Sequence, residues 1–153
     1  IAADSSLFLA AVRPRYPLLH LPDHTLVYTL QRPDRTEQCL MFWDSYLNER
    51  HLKYVPDFIN MCSSGRLCLL ATCSDDSDDL PNTFVYVICS TIGSAIQSRC
   101  SMIEPKYVSM TSSCVIGANQ SCIYCWVYDS NDPDPNPSYS SGSAGLVTLT
   151  DSI

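Results

Sequence analysis

Charged residues are scarce in this sequence of 153 residues. They make up 16% of the chain, against about 25% in an average soluble domain, while hydrophobic residues reach 46%. A surface with so little charge must be polar or apolar, which favours a subunit that hides much of its surface against copies of itself. The length is that of one domain with a real hydrophobic core.

Basic residues and long apolar runs are also lacking. Nine Lys and Arg stand against 16 Asp and Glu, a net charge of -7, so these residues alone do not bind nucleic acid through a basic patch. No apolar run approaches the length of a membrane span, and the start at Ile1 lacks the pattern of a signal peptide. We therefore expect no membrane partner.

Catalytic motifs are missing too. None of the three histidines lies in a recognisable nucleophile context, no G-x-S-x-G occurs, and the glycines form no phosphate-binding loop. We expect a protein that is not an enzyme. Four arginines near the start are weak candidates for phosphate contacts, although a solvated or ion-paired role fits them equally well. They are Arg13, Arg15, Arg32 and Arg35.

Cysteine is abundant, with nine residues. In a secreted chain this odd number would give up to four disulfides and one thiol. Several cysteines instead lie in apolar runs, where a free thiol behaves as a small buried hydrophobe. Cys122 and Cys125 form a CxxC motif without a second motif to complete a zinc site, and a strand would point them to opposite faces. The pattern favours reduced thiols.

An acidic cluster follows the most apolar run of the chain. The run from Gly65 to Thr72 predicts a buried strand. Directly after it come four carboxylates, which repel one another unless they are solvated or share a cation, and calcium is the cation that suits them. They are Asp75, Asp76, Asp78 and Asp79. A solvated acidic turn is the alternative interpretation.

Most other segments read as short β-strands separated by Gly, Ser, Pro or Asn. The exception is 36–48, where Leu40, Trp43 and Leu47 are spaced three and four apart, a pattern that predicts one short helix. About eight strands at fairly regular spacing indicate an all-β sandwich or barrel, and eight is the number in a jelly roll.

Three stretches together resemble a known family. The segment from Tyr46 to Pro56 contains Tyr54-Val55-Pro56, Gly65 leads an apolar strand, and Asp75, Asp78 and Pro81 follow at three-residue spacing. These features resemble the shell domain of coat proteins from small positive-strand RNA plant viruses of the sobemovirus and tombusvirus type. The resemblance implies an eight-stranded antiparallel jelly-roll β-sandwich with one or two short helices in the connections, formed by residues 1–153 as a single shell domain.

The same resemblance implies a function. The protein would be a structural capsid protein that assembles with copies of itself into an icosahedral shell packaging viral RNA, located in the virion and assembled in the host cytoplasm. Calcium would bind between subunits at Asp75 and Asp78, with Asp76 and Asp79 as the shifted alternative. The RNA would be held mainly by a basic arm expected upstream of Ile1.

Two other classes of protein fit parts of the sequence. A secreted, disulfide-rich β-barrel of the lipocalin type, binding a small apolar ligand, would account for the strands and the cysteine count but not for the acidic cluster. A cysteine-rich extracellular structural protein is the third hypothesis.

Overall fold

Strands are the only regular elements in the described part of the chain. The computed structural model describes residues 2–3, 6–7, 17–31, 38–74, 83–128 and 144–148. Nothing in those ranges forms a helix that is long and apolar enough to cross a membrane. The strands are β1 (Ala2–Ala3), β2 (Ser6–Leu7), β3 (Leu18–Leu21), β4 (Thr25–Gln31), β5 (Gln38–Asp44), β6 (Glu49–Val55), β7 (Phe58–Ser64), β8 (Leu67–Ser74), β9 (Thr83–Cys89), β10 (Ala95–Ser101), β11 (Tyr107–Met110), β12 (Cys114–Ala118), β13 (Cys122–Val127) and β14 (Ala144–Thr148).

The strands form three successive four-stranded sheets and one short pair. The first sheet contains β3 to β6, the second β7 to β10 and the third β11 to β14, while β1 pairs with β2. Every described pair is antiparallel and joins strands that follow each other in the chain. The all-β prediction is confirmed. The jelly roll is not supported, because a jelly roll pairs strands that are distant in sequence, whereas each sheet here is a simple meander.

The predicted helix over 36–48 is wrong. Strand β5 occupies its centre and pairs with β4 on one side and with β6 on the other. Phe42 and Leu40 are fully buried on one face of β5, and Trp43 lies partly buried on the other face. Because both faces carry apolar side chains, the spacing of these residues imitated a helical period.

Strand β8 lies at the centre of the fold and confirms the buried strand predicted from its apolar run. Its residues Cys68, Leu69, Leu70 and Ala71 are at most 1% exposed. Cys68 and Leu70 pack in a core shared with the first sheet, whereas Leu69 and Ala71 pack in a core shared with the third sheet. The second sheet is therefore covered on both faces, which explains why β8 shows no alternation of polar and apolar residues.

A glycine allows the second and third sheets to approach closely. Tyr86 of β9 is fully buried and stacks on Tyr124 of β13, with ring centroids 5.2 Å apart. Its hydroxyl oxygen lies over Gly117 of β12, so near that a Cβ at this position would come within 1.9 Å of it. Only glycine leaves room for this ring.

A second glycine lies at the contact between the first and second sheets. Gly93, in the turn between β9 and β10, has a φ of 81°, and a Cβ there would lie 2.9 Å from the ring of Phe42. The Lys53 ammonium of β6 donates a hydrogen bond to the Gly93 carbonyl at 3.0 Å. The first and second sheets are thus linked through the outer strand of the first sheet and a turn of the second.

The first strand of each sheet lies next to the first strand of the following sheet. Strand β7 contacts both β3 and β11. The side-chain amide of Asn60 in β7 donates a hydrogen bond of 3.2 Å to the carbonyl of Lys106, just before β11. The three sheets are therefore in contact along one edge, in chain order.

Candidate functional site

The residues predicted to bind calcium or phosphate lie outside the described residues. The four aspartates follow β8 and precede β9 in the sequence, and the arginines fall in the undescribed segments before β3 and between β4 and β5. These residues are Asp75, Asp76, Asp78, Asp79, Arg13, Arg15, Arg32 and Arg35. Calcium binding and phosphate binding by them stay predictions. Within the described ranges, no group of three or more His, Cys, Asp or Glu side chains could hold a metal ion.

A surface built from turns is the best-defined exposed feature of the described residues. The turns 22–24, 45–48, 65–66 and 90–94 lie at one end of the first two sheets, because each links neighbouring antiparallel strands at that end. An ion pair between Asp23 and Arg66 connects the first turn to the third. We call this surface the turn face.

The turn 45–48 holds two apolar side chains out in solvent. Tyr46 is 81% exposed and Leu47 is 61% exposed. The Asp44 carboxylate accepts hydrogen bonds from the backbone N–H groups of both residues, at 2.8 and 2.9 Å. Such a carboxylate-centred turn fixes the backbone locally, so the exposed Tyr46 and Leu47 project from an ordered segment.

Hydrogen bonds also tie this turn to its neighbour. Ser45 donates to the His24 carbonyl from its backbone N–H at 3.0 Å and from its hydroxyl at 2.8 Å. The His24 ring lies 6.0 Å from the Tyr46 ring, and His24 itself has a φ of 61°. An exposed tyrosine on a prearranged turn is typical of residues that anchor protein interfaces, since little conformational entropy is lost on binding.

The outer faces of the first and third sheets carry many apolar side chains. On the first sheet, Leu18 is 53% exposed and Leu52 is 40% exposed; on the third, Val127 is 47% and Ile116 is 37% exposed. Partly buried neighbours complete the face of the first sheet. They are Leu26, Tyr28, Leu30, Met41 and Trp43. The guanidinium of Arg50 covers the Trp43 ring at 5.6 Å from its centroid.

Two cysteines meet on the outer face of the third sheet. The sulfur atoms of Cys114 and Cys125 are 3.1 Å apart, across the neighbouring strands β12 and β13. Burial raises the pKa of the Cys114 thiol to about 11, and the hydrogen bond shared with Cys125 acts in the same direction. Cys122 instead packs against the core on the other face of β13, which confirms that the CxxC cysteines point to opposite faces.

None of the nine cysteines, all of which lie in the described ranges, is joined in a disulfide. Sequence reasoning missed both the pairing of Cys114 with Cys125 and the exposure of Tyr46 and Leu47. The turn could have been found, because Asp44 and Asn48 bracket it and both residue types favour turns. The thiol pair could not, since it depends on which strands are neighbours.

Comparison with known proteins decides the family. The family model described as the WDR35 second beta-propeller matches residues 21–141, which include most of all three sheets. The chain belongs to this family. It is 36% identical over 136 residues to the human WD repeat-containing protein 35, covering 84% of this chain and 11% of that protein. The rat protein of the same name is 37% identical over 128 residues, with the same coverage of 84% and 11%.

The match covers only a small part of each relative. The mouse WD repeat-containing protein 35 is 35% identical over 136 residues, which again cover 84% of this chain and 11% of the mouse protein. The chain thus spans about one ninth of the length of the curated WDR35 relatives that it matches.

Membership in the WDR35 propeller family corrects the resemblance to viral coat proteins. The predicted capsid function, the icosahedral shell of identical copies, the viral RNA partner and the location in a virion are all wrong, because the relatives are WD-repeat proteins of mammals. The lipocalin alternative is not supported either. The motifs that carried the resemblance were short: Tyr54-Val55 ends the outer strand β6, and such a strand end is compatible with many β folds.

Proposed function

We propose that this chain supplies three consecutive blades of a β-propeller in a WD-repeat protein, and that the propeller serves as a non-enzymatic platform for binding other proteins. The observation that carries the proposal is the position of β7, which contacts β3 and β11, the first strands of the neighbouring sheets. In a propeller the first strand of each blade lines the central channel, so these strands become neighbours.

The outer faces of the first and third sheets support the same arrangement. The second sheet has a neighbour on each side and is buried on both faces. Its two neighbours keep one apolar face partly exposed, as Leu52 and Val127 show. Propellers have about four to eight blades, and the relatives are much longer than this chain. Further blades of the longer protein would cover these faces.

A charge introduced on the outer face of the first sheet tests whether another blade covers that face. Leu26 lies partly buried on the outer face of β4. Leu26→Asp should lower the melting temperature much more in a longer protein that contains the flanking sequence than in the 153-residue chain, because only a covering blade would strip water from the new carboxylate. Gln31→Asp, at the exposed end of the same strand, is the matched control.

An equal decrease in melting temperature from Leu26→Asp in the 153-residue chain and in the longer protein would contradict the propeller arrangement. If Gln31→Asp also lowers the melting temperature more in the longer protein than in the 153-residue chain, the longer protein is sensitive to added charge in general. That outcome would also contradict the proposal.

The turn face is the surface that we propose for protein binding. Tyr46 and Leu47 provide the apolar anchors, and the hydrogen bonds of Asp44 hold them in place. When a photoreactive phenylalanine analogue replaces Tyr46 in the longer protein, irradiation should give one discrete product crosslinked to a partner protein. An excess of the same longer protein without the analogue should suppress that product. The same analogue at the exposed Gln120, in the turn between β12 and β13, is the control. Identical products from both positions would refute a specific role for the turn face.

A further inference from the structure

We propose that Cys114 and Cys125 are a redox-modification site, at which the two thiols form a reversible disulfide between β12 and β13. Their sulfur atoms are 3.1 Å apart, and a disulfide bond is about 2.05 Å long. The sulfur atoms therefore need to approach by about 1 Å. Because the two cysteines are diagonal neighbours and not register partners, the approach requires a small movement of the two strands as well as rotation of the side chains. The inference applies while the outer face of the third sheet is open, as it is in the 153-residue chain. A blade packed on that face, as in the proposed propeller, would close the site.

Both thiols are within reach of a small oxidant. Cys114 and Cys125 are partly exposed, on a face whose neighbouring side chains Ile116 and Val127 are 37% and 47% exposed. By contrast, Cys68 is completely buried in the core. Since oxidation requires access to the sulfur atom, the pair on the outer face should react before the core thiols.

Strand geometry selects the partner of Cys125. Cys122 is closer in sequence, but it packs against the core cluster on the opposite face of β13. A bond between Cys122 and Cys125 would require one of these side chains to cross the strand. Cys114 lies on the same face as Cys125, because Ile116, two residues further along β12, is the register partner of Cys125.

The oxidant in the proposed step is a small disulfide such as glutathione disulfide. The thiolate of one cysteine attacks a sulfur of glutathione disulfide and releases one glutathione thiolate, leaving a mixed disulfide. The second cysteine loses its proton and attacks the protein sulfur of that mixed disulfide, which releases the second glutathione. Two protein thiols are thereby oxidised to one disulfide, and one glutathione disulfide is reduced to two glutathione molecules.

Mass spectrometry of the full chain, equilibrated in glutathione buffers of graded ratio, tests the proposal. Free thiols are blocked with N-ethylmaleimide under acidic quench, and chymotrypsin then cuts after Tyr124, which separates Cys125 from Cys114 and Cys122. We expect a peptide pair linked through Cys125 and Cys114 to appear at a lower fraction of glutathione disulfide than any other linkage. Fragmentation of the linked peptides assigns the second sulfur.

Serine variants make the test decisive. Cys114→Ser should abolish the linked pair and leave Cys125 as a glutathione adduct, whereas Cys122→Ser should retain the full yield of linked peptide. Linkage of Cys125 to Cys122 in the unmodified chain, or separate glutathione adducts on Cys114 and Cys125 without a linked peptide, would overturn the proposal.

Discussion

Gly117 is the position where a single methyl group should disturb the packing of two sheets. A Cβ at this residue would lie 1.9 Å from the hydroxyl oxygen of Tyr86 and 2.6 Å from its Cζ atom. The ring cannot move aside easily, because it is fully buried and stacked on Tyr124. Gly117→Ala must therefore displace either the tyrosine or strand β12.

The cost of this overpacking is about 1–3 kcal/mol in free energy of unfolding. For a chain of this size, 1 kcal/mol lowers the melting temperature by about 2–4 °C, so we expect a decrease of roughly 2–12 °C. Urea unfolding followed by the fluorescence of Trp126, which is buried in the same core, measures the free energy directly. The m-value should be unchanged, because the mutation alters the folded state only.

A double-mutant cycle identifies the cause of the loss. Tyr86→Leu removes the ring above Gly117, so Gly117→Ala should cost at least about 0.5 kcal/mol less in that background. Ser109→Ala, at an exposed position of the neighbouring strand β11, is the control and should change stability by no more than about 0.5 kcal/mol. A loss from Gly117→Ala that is the same with and without the tyrosine would refute the steric explanation.

Three further substitutions test the contacts of the first sheet. Gly93→Ala should lower the free energy of unfolding, measured with urea, by at least about 2 kcal/mol, because it combines a positive φ with a clash against Phe42. A decrease below about 0.5 kcal/mol would contradict this expectation. Asp44→Ala removes the acceptor of two backbone hydrogen bonds and should cost about 1 kcal/mol, together with faster amide hydrogen exchange at 46–47; unchanged exchange there would show that the carboxylate does not order the turn. Arg66→Ala should cost less than about 1 kcal/mol because its ion pair with Asp23 is exposed, and a larger loss by thermal melting would mean that the pair is shielded from solvent.

Local patterns were sufficient for the existence of most strands. The segment at Phe84 is rich in β-branched and aromatic residues and forms β9, and the tetrapeptide from Tyr107 to Met110 forms β11. The run after Gly65 was predicted to be buried, and β8 is buried on both faces. Such properties depend on the residues themselves and their immediate neighbours, which a sequence displays directly.

Strand pairing could not be predicted in the same way. A count of about eight strands fits a jelly roll, but the same kind of segments form three meanders when each strand pairs with the next one along the chain. The choice between these topologies depends on contacts between distant residues, such as Phe42 against Gly93. The candidate site was predicted from charge clusters, whereas the turn face is formed by hydrogen bonds such as that from Ser45 to His24, 21 residues apart.

The sequence by itself determined the β class and the buried strand β8, because β-rich segments and an unbroken apolar run are local properties. It also determined the opposite orientation of Cys122 and Cys125, which follows from the two-residue period of a strand. Only the tertiary structure decided that β5 is a strand, that Tyr86 requires Gly117 and that Cys114 meets Cys125. These three features depend on which strands become neighbours. Which strands become neighbours depends on how whole sheet faces are buried against one another, and this cannot be read from any short segment of the chain.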